Sequence, residues 1–151
     1  MTTWGPAMRQ AIDLAATAAT WGDVPIGAVV LDSSGSVIAT AANQRQRDNN
    51  PLAHAEMLAL YRASQSLGAW RLDGCTMVVT LEPCAMCAGA IAQTRLARLV
   101  FGAFDERAGA VASLFDVLRD PRLPHRPDVV AGVLADDCQT LLSQFFNLRR
   151  G

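Results

Sequence analysis

Cys75-Thr76-Met77-Val78-Val79-Thr80-Leu81-Glu82-Pro83-Cys84-Ala85-Met86-Cys87 carries a strand into a helix and decides the fold. Thr76, Val78, Val79 and Thr80 are β-favouring residues, so Cys75 to Leu81 reads as a strand. Pro83 ends it and opens a helix predicted to run to about Thr94. On the N-terminal side, Met8, Ile12, Ala15 and Ala19 are spaced for one face of a helix over 4–20. Ile26 to Leu31 and Val37 to Ala42 read as a hairpin turning at Asp32-Ser33-Ser34-Gly35. Asn43 to Asn50 is polar loop. Pro51 is expected to open a helix reaching about Ser66. Beyond the cysteines, Leu99 to Ala103 and Val129 to Val133 read as strands, 113–118 as helical, and Asp136 to Leu148 as a closing helix. Strands alternating with helices, after one hairpin, argue for a sheet covered on both faces with later parallel crossovers.

Composition bounds the possibilities. The chain has 151 residues, 51% hydrophobic and 18% charged, with a net charge of −1. That is one domain's length, and 1–151 is expected to form a single domain. No apolar run approaches the ~18 residues of a membrane span, and Met1 to Gln10 lacks the pattern of a secretory signal. A cytoplasmic location and no membrane partner are therefore expected. All 13 cationic residues are arginine. The balance excludes a broadly basic nucleic-acid binder but leaves room for a local patch. Taken singly, Arg45, Arg47, Arg119, Arg122 and Arg126 read as surface charge offset by neighbouring aspartates.

His54-Ala55-Glu56 and Pro83-Cys84-Ala85-Met86-Cys87 each sit where a helix begins. Cys84 and Cys87 share one face of a first helical turn, where the helix dipole favours thiolate. With the imidazole of His54 they make a His-Cys-Cys set suited to zinc, leaving a fourth tetrahedral position for water. Glu56 is placed to take that water's proton. A redox pair usually has a thioredoxin-like context near the N-terminus, absent here. A closed structural site needs a fourth ligand. Cys75, the nearest candidate, lies ~20 Å away along a strand rising ~3.3 Å per residue. Cys138 reads as a buried small apolar residue.

The H-x-E and P-C-x-x-C pair is the signature of zinc nucleobase deaminases. Beyond it the chain closely resembles the tRNA-specific adenosine deaminase family. The likeness runs through Val24-Pro25-Ile26-Gly27-Ala28-Val29, Asn43, Leu81 to Ala90, Phe101-Gly102-Ala103 with Asp105, Gly109-Ala110, Ser113-Leu114, Asp116-Val117-Leu118, His125-Arg126, Gly132 to Asp137 and Phe145-Phe146. It implies a three-layer α/β/α sandwich, cytidine-deaminase-like, with a mixed sheet of about five strands. It implies one Zn2+ per chain on His54, Cys84 and Cys87, with Glu56 shuttling protons. Asn43 would hold the target nucleoside, Ile26 and Leu81 would line the base pocket, and Asp105 would meet the anticodon loop. Phe145, Phe146, Arg149 and Arg150 would meet the same loop, aromatics stacking on bases and guanidinium groups holding phosphates. Arg107, where the family often has lysine, is a further RNA candidate. The implied activity is hydrolytic deamination of adenosine to inosine at the wobble position of a tRNA anticodon, by a homodimer. The alternatives are a guanine or cytosine deaminase of the same superfamily and a non-catalytic RNA-binding subunit, against which the intact Glu56 argues. Leu52, Ala112 and Pro124 depart from the family pattern.

Overall fold

The structure, a computed structural model, describes residues 3–150, and of Arg150 the backbone alone. In chain order the elements are α1 (Gly5–Thr20), β1 (Gly27–Leu31), β2 (Val37–Ala42), α2 (Ala55–Leu67), β3 (Thr76–Leu81), α3 (Ala85–Gln93), β4 (Arg98–Ala103), β5 (Asp128–Val130) and α4 (Ala135–Arg150). The strands form one sheet in the order β2-β1-β3-β4-β5. β1 is antiparallel to β2 and β3, whereas β3, β4 and β5 are mutually parallel. The hairpin, the later parallel crossovers and the five-stranded mixed sheet agree with the sequence-based expectation.

Burial explains the strand sequences. β1 is buried along its whole length, and β3 and β4 at every position but one. Their near-continuous apolar runs belong to strands covered on both faces. Edge strand β2 mixes exposed and buried positions. One face of the sheet packs on α2 and α3 through Val30, Leu60, Met77, Ile91, Leu99 and Phe101, and the other on α1 and α4 through Met8, Val29, Val78, Val100 and Leu142. α1 turns Met8 and the small side chains of Ala11, Ala15 and Ala18 inward at helical spacing, and the alanines let it lie close to the sheet. The approach is close enough that a Cβ on Gly27 would fall 2.0 Å from the Ala11 carbonyl oxygen.

Two expected elements are corrected. Pro51 does not open α2. It lies in a turn in which the Asn50 side chain accepts the Leu52 N–H at 3.0 Å and Gln44 N–H reaches back to the Ala53 carbonyl at 3.0 Å. These local bonds satisfy the backbone outside a helix, so α2 starts at Ala55 with His54 as its extended N-cap. Residues 113–118 are not helical. The N–H groups of Val111, Ala112 and Ser113 are drawn to the buried carboxylate of Glu82, so the backbone is folded round that group and not along an i to i−4 ladder.

Candidate metal centre

Two helix N-termini meet at one point of the structure. His54 caps α2 and Cys84 caps α3, both with extended backbone, and Cys87 follows one turn into α3. His54 Nδ1 lies 3.8 Å from Cys84 Sγ and 3.5 Å from Cys87 Sγ. A tetrahedral zinc with Zn–S near 2.3 Å and Zn–N near 2.0–2.1 Å sets such donors about 3.6 Å apart. The three ligand atoms all lie within 4.8 Å of one another, and among the described residues they form the cluster of histidine, cysteine and carboxylate groups with that spacing. All four cysteines are free thiols. Cys75 stands immediately before β3, at the end opposite the Cys84 turn. Cys138 is buried in α4 against Gly102, where a Cβ would fall 2.4 Å from its sulfur.

The electrostatics suit a cation. Hydrogen bonds from Cys87 and His54 pull the Cys84 thiol down to about 3, favouring thiolate. The Cys84 hydrogen bond likewise holds the His54 imidazole above its ordinary value. Cys87 is pushed up by its hydrogen bond to Cys84 and by burial; a bound metal reverses that, because a coordinating thiol is deprotonated outright. Glu56 is 3% exposed, and burial pushes its carboxyl up to about 7. Its Oε1 is, among the described residues, the buried side-chain oxygen or nitrogen left without a hydrogen-bond partner. A buried polar atom without a partner is costly. Here it borders the donor set, which is where an incoming water would give it one.

The donor set opens into a cleft of about 950 Å³, lined by His54, Glu56 and Cys84. Of the residues picked out from the sequence, Asn43, Ile26, Leu81, Asp105, Arg107 and Phe146 line the same cleft. Two of them already serve the fold. Asn43 donates to the Val24 carbonyl at 3.2 Å and accepts the Arg45 N–H at 3.2 Å. Asp105 accepts the N–H groups of Arg107 and Ala108 through one carboxylate oxygen. Phe145 and Arg149 are not brought to the cleft. Arg149 donates to the Gly22 carbonyl at 2.6 Å and lies 4.4 Å over the Phe145 ring, so both tie α4 to the turn after α1. The Arg150 side chain lies outside the described residues. Phe104, Gln139 and Ser143 also line the cleft and were missed. Gln139 and Ser143 come from α4, whose docking across the sheet leaves no local mark in sequence; Phe104 directly follows the Phe101-Gly102-Ala103 block.

An α/β/α sandwich with a three-donor His/Cys/Cys set and a buried carboxylate at the floor of a cleft defines a class, the zinc-binding hydrolytic deaminases. A family model for the cytidine and deoxycytidylate deaminase zinc-binding region matches residues 2–103. The tRNA-specific adenosine deaminase of Bacillus subtilis is 47% identical over 92% of this chain and 86% of its own length. That of Haemophilus influenzae is 43% identical over 95% of this chain and 83% of its own. A solved structure from work on A-to-I editing by tRNA:A34 deaminases at the wobble position superposes with a TM-score of 0.86 at 40% identity, covering 89% of this chain and 97% of the other. A guanine deaminase from Nitrosomonas europaea superposes at 0.79 with 27% identity, covering 96% and 85%. The chain belongs to the cytidine and deoxycytidylate deaminase family and, within it, to the tRNA-specific adenosine deaminases.

With that family's zinc, one ion per chain, the residues present fit. Cys75→Ser and Cys138→Ser are expected to retain one zinc per chain by elemental analysis of purified protein. His54→Ala and Cys87→Ala are expected to lose most of it. Loss of zinc in Cys75→Ser would mean that a fourth protein ligand closes the site.

Proposed function

We propose that this protein hydrolyses adenosine to inosine at the wobble position of a tRNA anticodon. The observation that carries the reading is the unpartnered Glu56 Oε1 beside the His54, Cys84 and Cys87 donor set, at a cleft that His54, Glu56 and Cys84 line. His54 Nδ1 and the sulfurs of Cys84 and Cys87 would hold zinc, which when bound supplies Lewis acidity that lowers a water's pKa towards ~7. Glu56 moves the protons. Its carboxylate accepts one from the water as oxygen bonds to C6 of adenine and passes it to N1, then takes the remaining proton from the new C6 hydroxyl and passes it to the exocyclic nitrogen as C6=O forms. The C6–N6 bond then breaks and ammonia leaves. Asn43, Ile26 and Leu81 line the space for the base, which must be splayed from the loop, at least cost in single-stranded RNA. Arg45, Arg107 and Phe146 at the same cleft are the proposed RNA contacts, with Asp105 shaping the turn that presents Arg107. Phe145 and Arg149 support them by anchoring α4.

The chain is further proposed to act as a homodimer in the cytoplasm. Tyr61 and Trp70 are about two-thirds exposed beside a shallow apolar depression between α2 and α3. Exposed aromatics of this kind mark an association surface. No helix of the described residues is long and apolar enough to cross a membrane. Sedimentation equilibrium is expected to give the mass of two chains, and Tyr61→Arg with Trp70→Ala the mass of one; a wild-type monomer at micromolar concentration contradicts the dimer.

The activity is tested with an anticodon stem-loop bearing adenosine at the wobble position, beside free adenosine, guanine and cytidine. Inosine from the stem-loop alone is expected; conversion of guanine or cytidine would move the protein to another branch of the superfamily. Glu56→Ala is expected to keep zinc and lose at least ~10²–10⁴-fold in turnover, the contribution of general acid–base groups. Arg45→Ala with Arg107→Ala is expected to raise KM and flatten the log–log salt dependence by roughly 0.7 per lost phosphate contact. An unchanged salt slope would place the phosphate grip elsewhere.

A further inference from the structure

Glu82 lies between β3 and the Cys84 turn and is 1% exposed, yet its carboxylate is filled from a single distant stretch of chain. Oε1 accepts the Asp105 N–H at 3.1 Å and the Ser113 hydroxyl. Oε2 accepts the N–H groups of Val111 at 3.1 Å, Ala112 at 2.8 Å and Ser113 at 2.8 Å. Five donors thus converge on two oxygens, which have about four lone-pair sites between them. The segment is wound tightly round the group. A Cβ on Gly109 would fall 2.3 Å from Glu82 Cδ and 2.5 Å from the Asp105 carbonyl oxygen, so glycine alone fits there.

The same segment is fastened to the zinc-ligand turn. Ala110 N–H donates to the Pro83 carbonyl at 2.8 Å, and Gly109 forms an isolated antiparallel bridge with Cys84. Its other side, Phe104 to Ala108, lines the cleft. Asp105, whose N–H is held by Glu82, in turn caps the N–H groups of Arg107 and Ala108. A chain of bonds therefore runs from Glu82 through Asp105 to the turn that carries Arg107.

We propose that Glu82 is the positioning residue of the substrate-facing wall, a buried carboxylate cradle that folds residues 104–113 against the zinc-ligand turn and so sets where the cleft meets the anticodon loop. The inference rests on the tRNA-deaminase reading above. Glu82 touches neither the base nor the reacting atoms in this role. Its removal is expected to act on substrate binding more than on the chemical step.

In Glu82→Gln, an amide NH2 faces groups that are themselves donors. Hydrogen exchange is expected to show lost protection at the amides of 105 and 111–113, with β3 and β4 still protected. Zinc is expected to stay at one per chain. KM for the stem-loop is expected to rise on the order of 10-fold or more while kcat moves less than about threefold, the pattern of lost uniform binding. Gly109→Ala is expected to reproduce that pattern, and the double variant to add nothing, because both break one network. Ser113→Ala, which removes one donor of five, is expected to shift KM less than about threefold. If Glu82→Gln does not fold, Glu82→Asp, which keeps the charge and withdraws it, carries the test with the same signs. Retained protection at 105 and 111–113 overturns the cradle. Lost protection with unchanged KM, or a fall in active fraction alone, reduces Glu82 to a stability element and overturns the positioning role. A wild-type protein that leaves the stem-loop unedited instead defeats the functional reading, and the exchange data still judge the cradle by itself.

Discussion

Three donors from two helices must come within the bonding radius of one ion, and that convergence constrains most of this structure. His54 reaches it as the N-cap of α2 and Cys84 as the N-cap of α3, so both helices must start beside the same end of β3. A helix start is electrostatically suited to the task, because its unpaired N–H groups favour the anionic sulfur. The crossovers on one face of the sheet deliver both helix starts to that point. Alanines at Ala55, Ala59 and Ala63 let α2 lie close enough to the sheet for the imidazole to meet the sulfurs.

Hydrogen bonding then differentiates the two buried acidic groups nearest the ligands. Glu56 is buried with one oxygen unpartnered, a state that costs stability and leaves the group free to exchange protons. Burial also pushes the Glu82 carboxyl up, but the Ser113 hydroxyl and the backbone N–H groups of Ser113, Asp105 and Ala112 outweigh it and hold the group below the usual carboxylate range. Two carboxylates beside one centre are thus given opposite characters by their hydrogen bonds, one fitted to proton transfer and one to holding backbone.

Features whose cause is local were legible in the sequence. The β-branched run over Thr76 to Thr80, the Pro83 break and the i, i+3 cysteines fixed a strand, a turn and a ligand pair within a dozen residues. What stayed hidden was set at long range. Residues 113–118 have helical composition, but their neighbouring N–H groups are claimed by a carboxylate some thirty residues earlier in the chain. Arg149 looks like a free cation beside aromatics, yet its guanidinium is committed to Gly22, 127 residues away. Phe146 faces the cleft while Phe145, the residue before it, lies under Arg149, because successive positions on α4 point about 100° apart. Pro51 carries a helix-start signal that the Asn50 side chain overrides by building a turn.

The proposed chemistry requires an open centre with three protein ligands. X-ray absorption at the zinc edge of the purified protein tests it most directly. Two sulfur neighbours near 2.3 Å, one imidazole nitrogen near 2.0–2.1 Å and one further light atom that exchanges with added anion are expected. A shell of three or four sulfurs, or a fourth ligand that no anion displaces, would contradict it.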